Sequence, residues 1–110
     1  MSERALQEQV FGFFALALPS DAVAFTIPNG DRAMTRAPGT LSGIPDIGII
    51  YRGRIILIEL KTAIGAVRPK QRFVHDQLTR AGAVVSVCRS LGQVEDLLAS
   101  LMPLRARLAA

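Results

Sequence analysis

The sequence has one cysteine, one tyrosine and no tryptophan among its 110 residues. A single cysteine excludes a disulfide framework within the chain, and Cys88 ends an apolar run where core packing is expected. No apolar stretch is long enough for a membrane helix, and no signal-peptide pattern is present. We therefore expect a cytoplasmic protein without a membrane partner, and no pattern indicates an organic cofactor.

Lysine is scarce as well: the chain has eleven arginines but only two lysines, Lys61 and Lys70. The net charge is +4 and the isoelectric point is near 10.2, a balance that favours a polyanion as partner. Arginine suits a general phosphate-binding surface because its planar guanidinium forks onto phosphate oxygens. One of the two lysines lies two residues after Glu59, which sets it apart from this general positive surface.

Hydrophobic spacing predicts an α/β fold. Half of the residues are hydrophobic, and the length suits one domain over residues 1–110. The elements follow in the order α-β-β-β-α-β-α, a mixed central sheet with helices on both faces. The predicted helices and strands cover 3–18, 23–27, 47–51, 54–60, 69–81, 83–88 and a last helix after Ser90.

The second and third strands predict a hairpin whose two-residue turn is Arg52-Gly53. Counting outward from that turn places Asp46 directly opposite Glu59, with side chains roughly 5 Å apart at Cβ. Lys61 lies on the same face as Glu59 because side chains alternate along a strand. The hairpin therefore brings two carboxylates and one ammonium group together.

Two opposed carboxylates destabilise a hairpin unless a cation lies between them. These strands are apolar on both faces, with residues such as Ile49 and Ile56 on one side and Ile50 and Ile55 on the other, so we expect cover on both faces. Lys61 supplies one positive charge, and a divalent ion supplies more. Carboxylate oxygens suit Mg²⁺ or Mn²⁺. The alternative is a plain surface ion pair between Glu59 and Lys61.

The run Gly43-Ile-Pro-Asp, followed by Ile-Glu-Leu-Lys and then Gln71, resembles the VRR-NUC (virus-type replication-repair nuclease) family. That family is part of the PD-(D/E)xK nuclease superfamily, and here Pro45-Asp46 and Glu59-Leu60-Lys61 match the signature. The resemblance extends over most of the chain. It implies a restriction-endonuclease-like core and an endonuclease that hydrolyses DNA phosphodiester bonds with Mg²⁺ or Mn²⁺.

The resemblance also implies site residues. Asp46 and Glu59 would hold the metal, with the Leu60 carbonyl as a further oxygen ligand. Lys61 would act in catalysis, and Gln71 matches a helical glutamine close to the catalytic lysine.

In the first helix, Glu3 resembles the acidic residue that family members add to the metal site. The alternatives are Glu8, if the helical register differs, or a first-turn carboxylate that only favours the helix dipole.

Basic residues in two segments are candidate DNA contacts. Asn29 and Arg32 resemble a Pro-Asn-Gly-x-x-Arg stretch of phage-type members, although a solvated turn is the alternative, and Arg36 follows in the same irregular segment. A second group lies at the start of the helix after the hairpin, where amide groups and cations together favour phosphate. That group is Arg68, Lys70 and Arg72.

Stand-alone phage-type relatives are homodimers that act on branched DNA, so the resemblance implies a homodimer and a substrate similar to a Holliday junction. A mean hydropathy of +0.34 also favours covered apolar surface. We expect the first helix, at Phe11, Phe14, Leu16 and Leu18, and the hairpin to supply it. Two alternatives stay open: a DNA-binding module that has lost catalysis, and a subunit of a larger nuclease or toxin system.

Overall fold

The computed structural model describes residues 1–28 and 37–109. The hairpin at its centre has the predicted register. Arg52 and Gly53 both have positive φ, 46° and 79°, so the turn has the twist that a two-residue hairpin requires. Tyr51 pairs with Arg54, and the antiparallel ladder continues to the pair of Ile47 and Ile58.

Seven elements follow in the predicted order α-β-β-β-α-β-α. Ser2 begins the first helix, because its Oγ accepts a hydrogen bond from the Ala5 amide at 3.0 Å. Gly82, at a φ of 110°, follows the end of the second helix. The elements are α1 (Glu3–Ala17), β1 (Ala22–Thr26), β2 (Ile47–Tyr51), β3 (Arg54–Leu60), α2 (Pro69–Arg80), β4 (Val84–Cys88) and α3 (Leu91–Ala99).

The four strands form one mixed sheet in the order β1-β2-β3-β4, antiparallel except for the parallel pair β3–β4. One face of the sheet packs against α1 and α3 and makes the main core. Among the buried side chains of this core are Val10, Ile49, Ile56, Ile58 and Leu98. The other face carries α2, which packs against β4.

The expectation that both sheet faces are covered is wrong for β1 and the hairpin. Val23 pairs with Ile50, which pairs with Ile55, and these three side chains are 61%, 43% and 48% exposed. The reason is that α2 lies over the β4 side of the sheet. An apolar strip is therefore left open across three strands of the described part of the chain.

The segment after α3 packs against the ends of two helices. Met102 is buried in the main core, and the Arg105 amide donates to the Ala17 carbonyl at 2.7 Å. Glu95 of α3 accepts a hydrogen bond from the Leu108 amide and lies 3.1 Å from Arg107 Nε. This segment thus fixes α1 relative to α3. In the described ranges, 1–28 and 37–109, no helix has the length and apolarity that a bilayer span requires.

Candidate metal centre

The hairpin register places the two strand carboxylates at one end of the sheet. Ile47 pairs with Ile58, so the next residues outward, Asp46 and Glu59, are opposite each other. Asp46 Oδ2 accepts a hydrogen bond from the Leu60 amide at 2.9 Å. This bond holds the Asp46 side chain against β3, beside Glu59.

The start of α1 brings a third carboxylate to the same place. Glu3, Asp46 and Glu59 each offer an oxygen, and these atoms all lie within 4.8 Å of one another. Glu8 is outside this cluster and lies 3.5 Å from Arg4 across one helical turn. An open cavity of about 430 Å³ adjoins the cluster, lined by Glu3, Arg4, Gln7, Glu8, Asp46 and Leu60.

Glu59 is only 2% exposed, and its two oxygens have different surroundings. Oε2 accepts a hydrogen bond from Gln71 Nε2 at 3.2 Å and lies 3.7 Å from Lys61 Nζ. Oε1 is buried without a hydrogen-bond partner in the part of the chain that the structure describes. A buried carboxylate oxygen without a donor is costly, so this atom is suited to a cation.

The surroundings of Glu59 disfavour its charged form. Burial contributes most, and the negative charges of Asp46 and Glu3 add to it, so the pKa of Glu59 is raised from 4.5 to about 8. Lys61 opposes the rise, but one ammonium group does not compensate for burial and two carboxylates. A divalent cation would reverse this balance because it favours the ionised carboxylate.

Gln71 connects the start of α2 to Glu59. Its Oε1 accepts from the Arg68 amide at 3.0 Å, while its Nε2 donates to Glu59 Oε2. The two bonds leave the amide group one orientation, and that orientation fixes one oxygen of Glu59. Gln71 therefore lies beside Glu59 and donates to the same oxygen that Lys61 approaches.

Comparisons with known proteins support the fold on which this site is built. No protein-family model and no curated protein matches the chain. One solved structure, described as a VRR_NUC domain, has a TM-score of 0.66 and 26% identity, covering 91% of this chain and 97% of its own. The chain is similar to this VRR-NUC domain over nearly its whole length. A second structure, described as a VRR_NUC domain protein, has a TM-score of 0.70 and 20% identity, covering 90% and 86%.

The likeness to VRR-NUC domains supports a nuclease-type domain, and the signature residues lie where the carboxylates meet. Pro45 is buried directly before Asp46. Lys61, 6% exposed, extends β3 by one residue, since its amide donates to the Cys88 carbonyl at 3.1 Å. The signature residues thus come from two adjacent strand ends but lie at one site.

His75 is a further neighbour of the site. Its Nε2 lies 3.9 Å from Glu59 Oε1, and neither atom has a hydrogen-bond partner among the described residues. Burial lowers the pKa of His75, which favours the neutral imidazole. The one-turn spacing from Gln71 was the available signal, because residues four apart share a helix face.

The predicted DNA contacts fall into two groups. Arg68, Lys70 and Arg72 are exposed at the start of α2, close in sequence to Gln71. The other three, Asn29, Arg32 and Arg36, lie outside the described residues.

Proposed function

We propose that the protein is a metal-dependent endonuclease that hydrolyses DNA phosphodiester bonds. The observation that carries the proposal is the cluster of three carboxylates from α1, from the residue before β2 and from β3. Within it, Glu59 Oε1 is buried without a hydrogen-bond partner among the described residues. A cation would stabilise such a cluster, and Lys61 Nζ lies 3.7 Å from Glu59 Oε2. The nuclease-type fold supports the same conclusion.

The donor set suits Mg²⁺ or Mn²⁺, which prefer carboxylate and carbonyl oxygens. Asp46 and Glu59 would hold the ion, Glu3 would add a third carboxylate, and the Leu60 carbonyl a further oxygen. When bound, such an ion supplies Lewis-acid stabilisation of phosphate charge and lowers the pKa of water at the site.

The chain's own residues supply orientation and charge. Lys61 is buried beside Glu59, where its ammonium group would orient the attacking water or stabilise the negative charge that develops on the phosphate. Gln71 holds Glu59 in one orientation through its bonds to Glu59 and to the Arg68 amide. We assign catalytic roles to Asp46, Glu59, Lys61 and Gln71 on this basis.

DNA would approach over the start of α2. The exposed Arg68, Lys70 and Arg72 lie there, and a net charge of +4 favours a polyanion. Asn29, Arg32 and Arg36 stay proposed contacts from their sequence pattern. A buried lone Cys88 supports a reducing, cytoplasmic location.

We also propose a homodimer that cuts branched DNA. The open strip of Val23, Ile50 and Ile55 supports a contact between copies, because apolar surface across three strands is stabilised when covered. The first helix is a weaker candidate than its sequence indicated, since Phe14 and Leu18 are buried in the core. Light scattering that reports a monomer at tens of micromolar, roughly the range where a stable dimer persists, would contradict the dimer.

Plasmid nicking tests the central proposal. We expect relaxation of supercoiled DNA with Mg²⁺ or Mn²⁺, none with EDTA, and loss of nicking in Glu59→Gln. The matched control is Glu95→Gln, which changes another buried glutamate away from the cluster. DNA binding without any cleavage would contradict the proposal and favour an inactive binding module. Comparing junction, flap, single-stranded and linear duplex DNA then tests the substrate class.

A further inference from the structure

Arg89 is the first residue after β4, and nothing in its sequence context indicates a role in the site. Its Nη1 donates hydrogen bonds to two backbone carbonyls, that of Thr62 at 2.8 Å and that of Gly65 at 2.5 Å. Both carbonyls belong to the turn 62–65, which directly follows Lys61. Arg89 is half-buried, so these bonds are partly shielded from water.

The turn 62–65 packs against the stem of Lys61. The Gly65 amide donates to Thr62 Oγ1 at 3.0 Å and lies 3.3 Å from the Thr62 carbonyl oxygen, which closes the turn. A Cβ added at Gly65 would lie 3.7 Å from Lys61 Cδ and 3.0 Å from Thr62 Oγ1. The turn therefore lies next to the side chain whose ammonium group is beside Glu59.

The peptide group that joins Cys88 to Arg89 is held by a hydrogen bond on each side. The Lys61 amide donates to the carbonyl of Cys88, the residue before Arg89, and the Arg89 amide donates to Gln93 Oε1 on α3 at 2.7 Å. The arginine thus links the start of α3 to the turn that follows β3. A displaced guanidinium would free two carbonyls at once.

We propose that Arg89 is a positioning residue for Lys61: it holds the turn 62–65 and thereby keeps the Lys61 ammonium group beside Glu59. The inference rests on the proposed nuclease function. Arginine suits the task because its planar guanidinium stays charged and bonds several acceptors in a fixed geometry. Misplacing a reacting group by about 1 Å costs on the order of 10²-fold in rate, so a loosened turn has a measurable effect.

The test compares Arg89→Ala with wild type in metal-dependent nicking under single-turnover conditions. We expect a rate loss of roughly tenfold or more with DNA affinity nearly unchanged. Hydrogen exchange gives a second readout that is independent of activity: the Gly65 amide exchanges faster in the variant. Added guanidinium ion restores part of the nicking rate in Arg89→Ala and none in Lys61→Ala, which a general loss of folding would not produce.

Arg105→Ala is the matched control. Arg105 also donates to two backbone carbonyls, that of Leu18 at 2.6 Å and that of Ala15 at 3.3 Å, but at the end of α1 opposite Glu3. We expect this variant to lower the melting temperature and leave the nicking rate of the folded protein unchanged.

Three outcomes decide the proposal. Wild-type nicking in Arg89→Ala would overturn it, and so would equal rate losses in Arg89→Ala and Arg105→Ala without rescue by guanidinium. If the wild-type protein itself does not nick DNA with either metal, the nuclease proposal fails. Exchange at Gly65 then decides whether Arg89 holds the turn: faster exchange in the variant supports that contact, and unchanged exchange overturns it.

Discussion

Glu59 and Glu95 are both more than nine-tenths buried, yet their surroundings shift the two pKa values in opposite directions. Glu95 accepts a hydrogen bond from the Leu108 amide and lies beside Arg107, and these donors lower its pKa. Glu59 has one oxygen without a hydrogen-bond partner in the described ranges and two carboxylates as neighbours, and its pKa is raised to about 8.

The difference separates a structural carboxylate from one that is suited to a ligand. The bonds of Glu95 join α3 to the C-terminal segment, so its negative charge is satisfied within the fold. Gln71 and Lys61 do not fully compensate the negative charge of Glu59. Binding of an external cation is therefore favourable. Both side chains are nearly inaccessible to solvent, but burial contributes most to the pKa of Glu59, whereas hydrogen-bond donors contribute most to that of Glu95.

The largest expected effect is on nuclease activity, when the lysine beside Glu59 is removed. Lys61→Ala leaves all three carboxylates in place and removes the ammonium group. We expect a nicking rate lower by roughly 100-fold with DNA affinity largely kept, because binding is spread over many arginines. Arg80→Ala, which removes an exposed cation paired with Asp76, is the control and should keep its rate. Near-normal turnover in Lys61→Ala would reduce Lys61 to an ion-pair partner of Glu59.

Replacing the two glutamates by glutamine should change the stability of the protein in opposite directions. In EDTA at pH 8, Glu59→Gln removes an unfavourable buried charge and should raise the free energy of unfolding on the order of 2 kcal/mol. Glu95→Gln removes a satisfied charge and should lower the melting temperature. Thermal denaturation of both variants beside wild type measures this. Destabilisation by Glu59→Gln would mean that Lys61 already compensates the charge without a metal.

The sequence predicts one side of this comparison much better than the other. The register that brings Asp46 to Glu59 follows from a two-residue turn and the alternation of strand side chains, both of which are local rules. Glu3 was a candidate only through the family resemblance, with Glu8 as an alternative, because no local rule predicts which turn of α1 lies against the hairpin. The pairing of Asp46 with Glu59 was therefore within reach of pattern analysis, and the third carboxylate was not.

The partners of Glu95 were not within reach, because they lie in a segment without helical or strand periodicity. Arg107 and Leu108 meet Glu95 only after the chain turns back beyond α3, and no spacing rule predicts that path. Similarly, the exposure of Ile50 and Ile55 depends on where α2 lies over the sheet. Hydrophobic spacing identifies apolar faces but does not state which neighbour covers them.

A smaller difference between the two glutamates is expected in how the stability of the metal-free protein depends on pH. Folded protein retains a proton on Glu59 up to about pH 8, whereas the unfolded chain has released it. Stability that depends on Glu59 is therefore greatest in acid and falls as pH rises, by up to about 1.4 kcal/mol per pH unit. Glu95 acts in another window: its lowered pKa gives stability above its ordinary value that is lost only as pH falls through the lowered one.

The groups facing Glu59 decide the range in which to measure. His75 has a lowered pKa, so its contribution rises with pH until the unfolded imidazole has lost its proton near 6.5. Above that value Glu59 acts without this opposing effect. Melting temperatures in EDTA from pH 6.5 to 8 should fall for wild type and Glu95→Gln and stay level for Glu59→Gln. Added Mg²⁺ or Mn²⁺ should stabilise wild type more at pH 8 than at pH 6.5, because fewer protons then compete for the carboxylate. A decline of equal slope in Glu59→Gln would place the titrating group elsewhere in the protein.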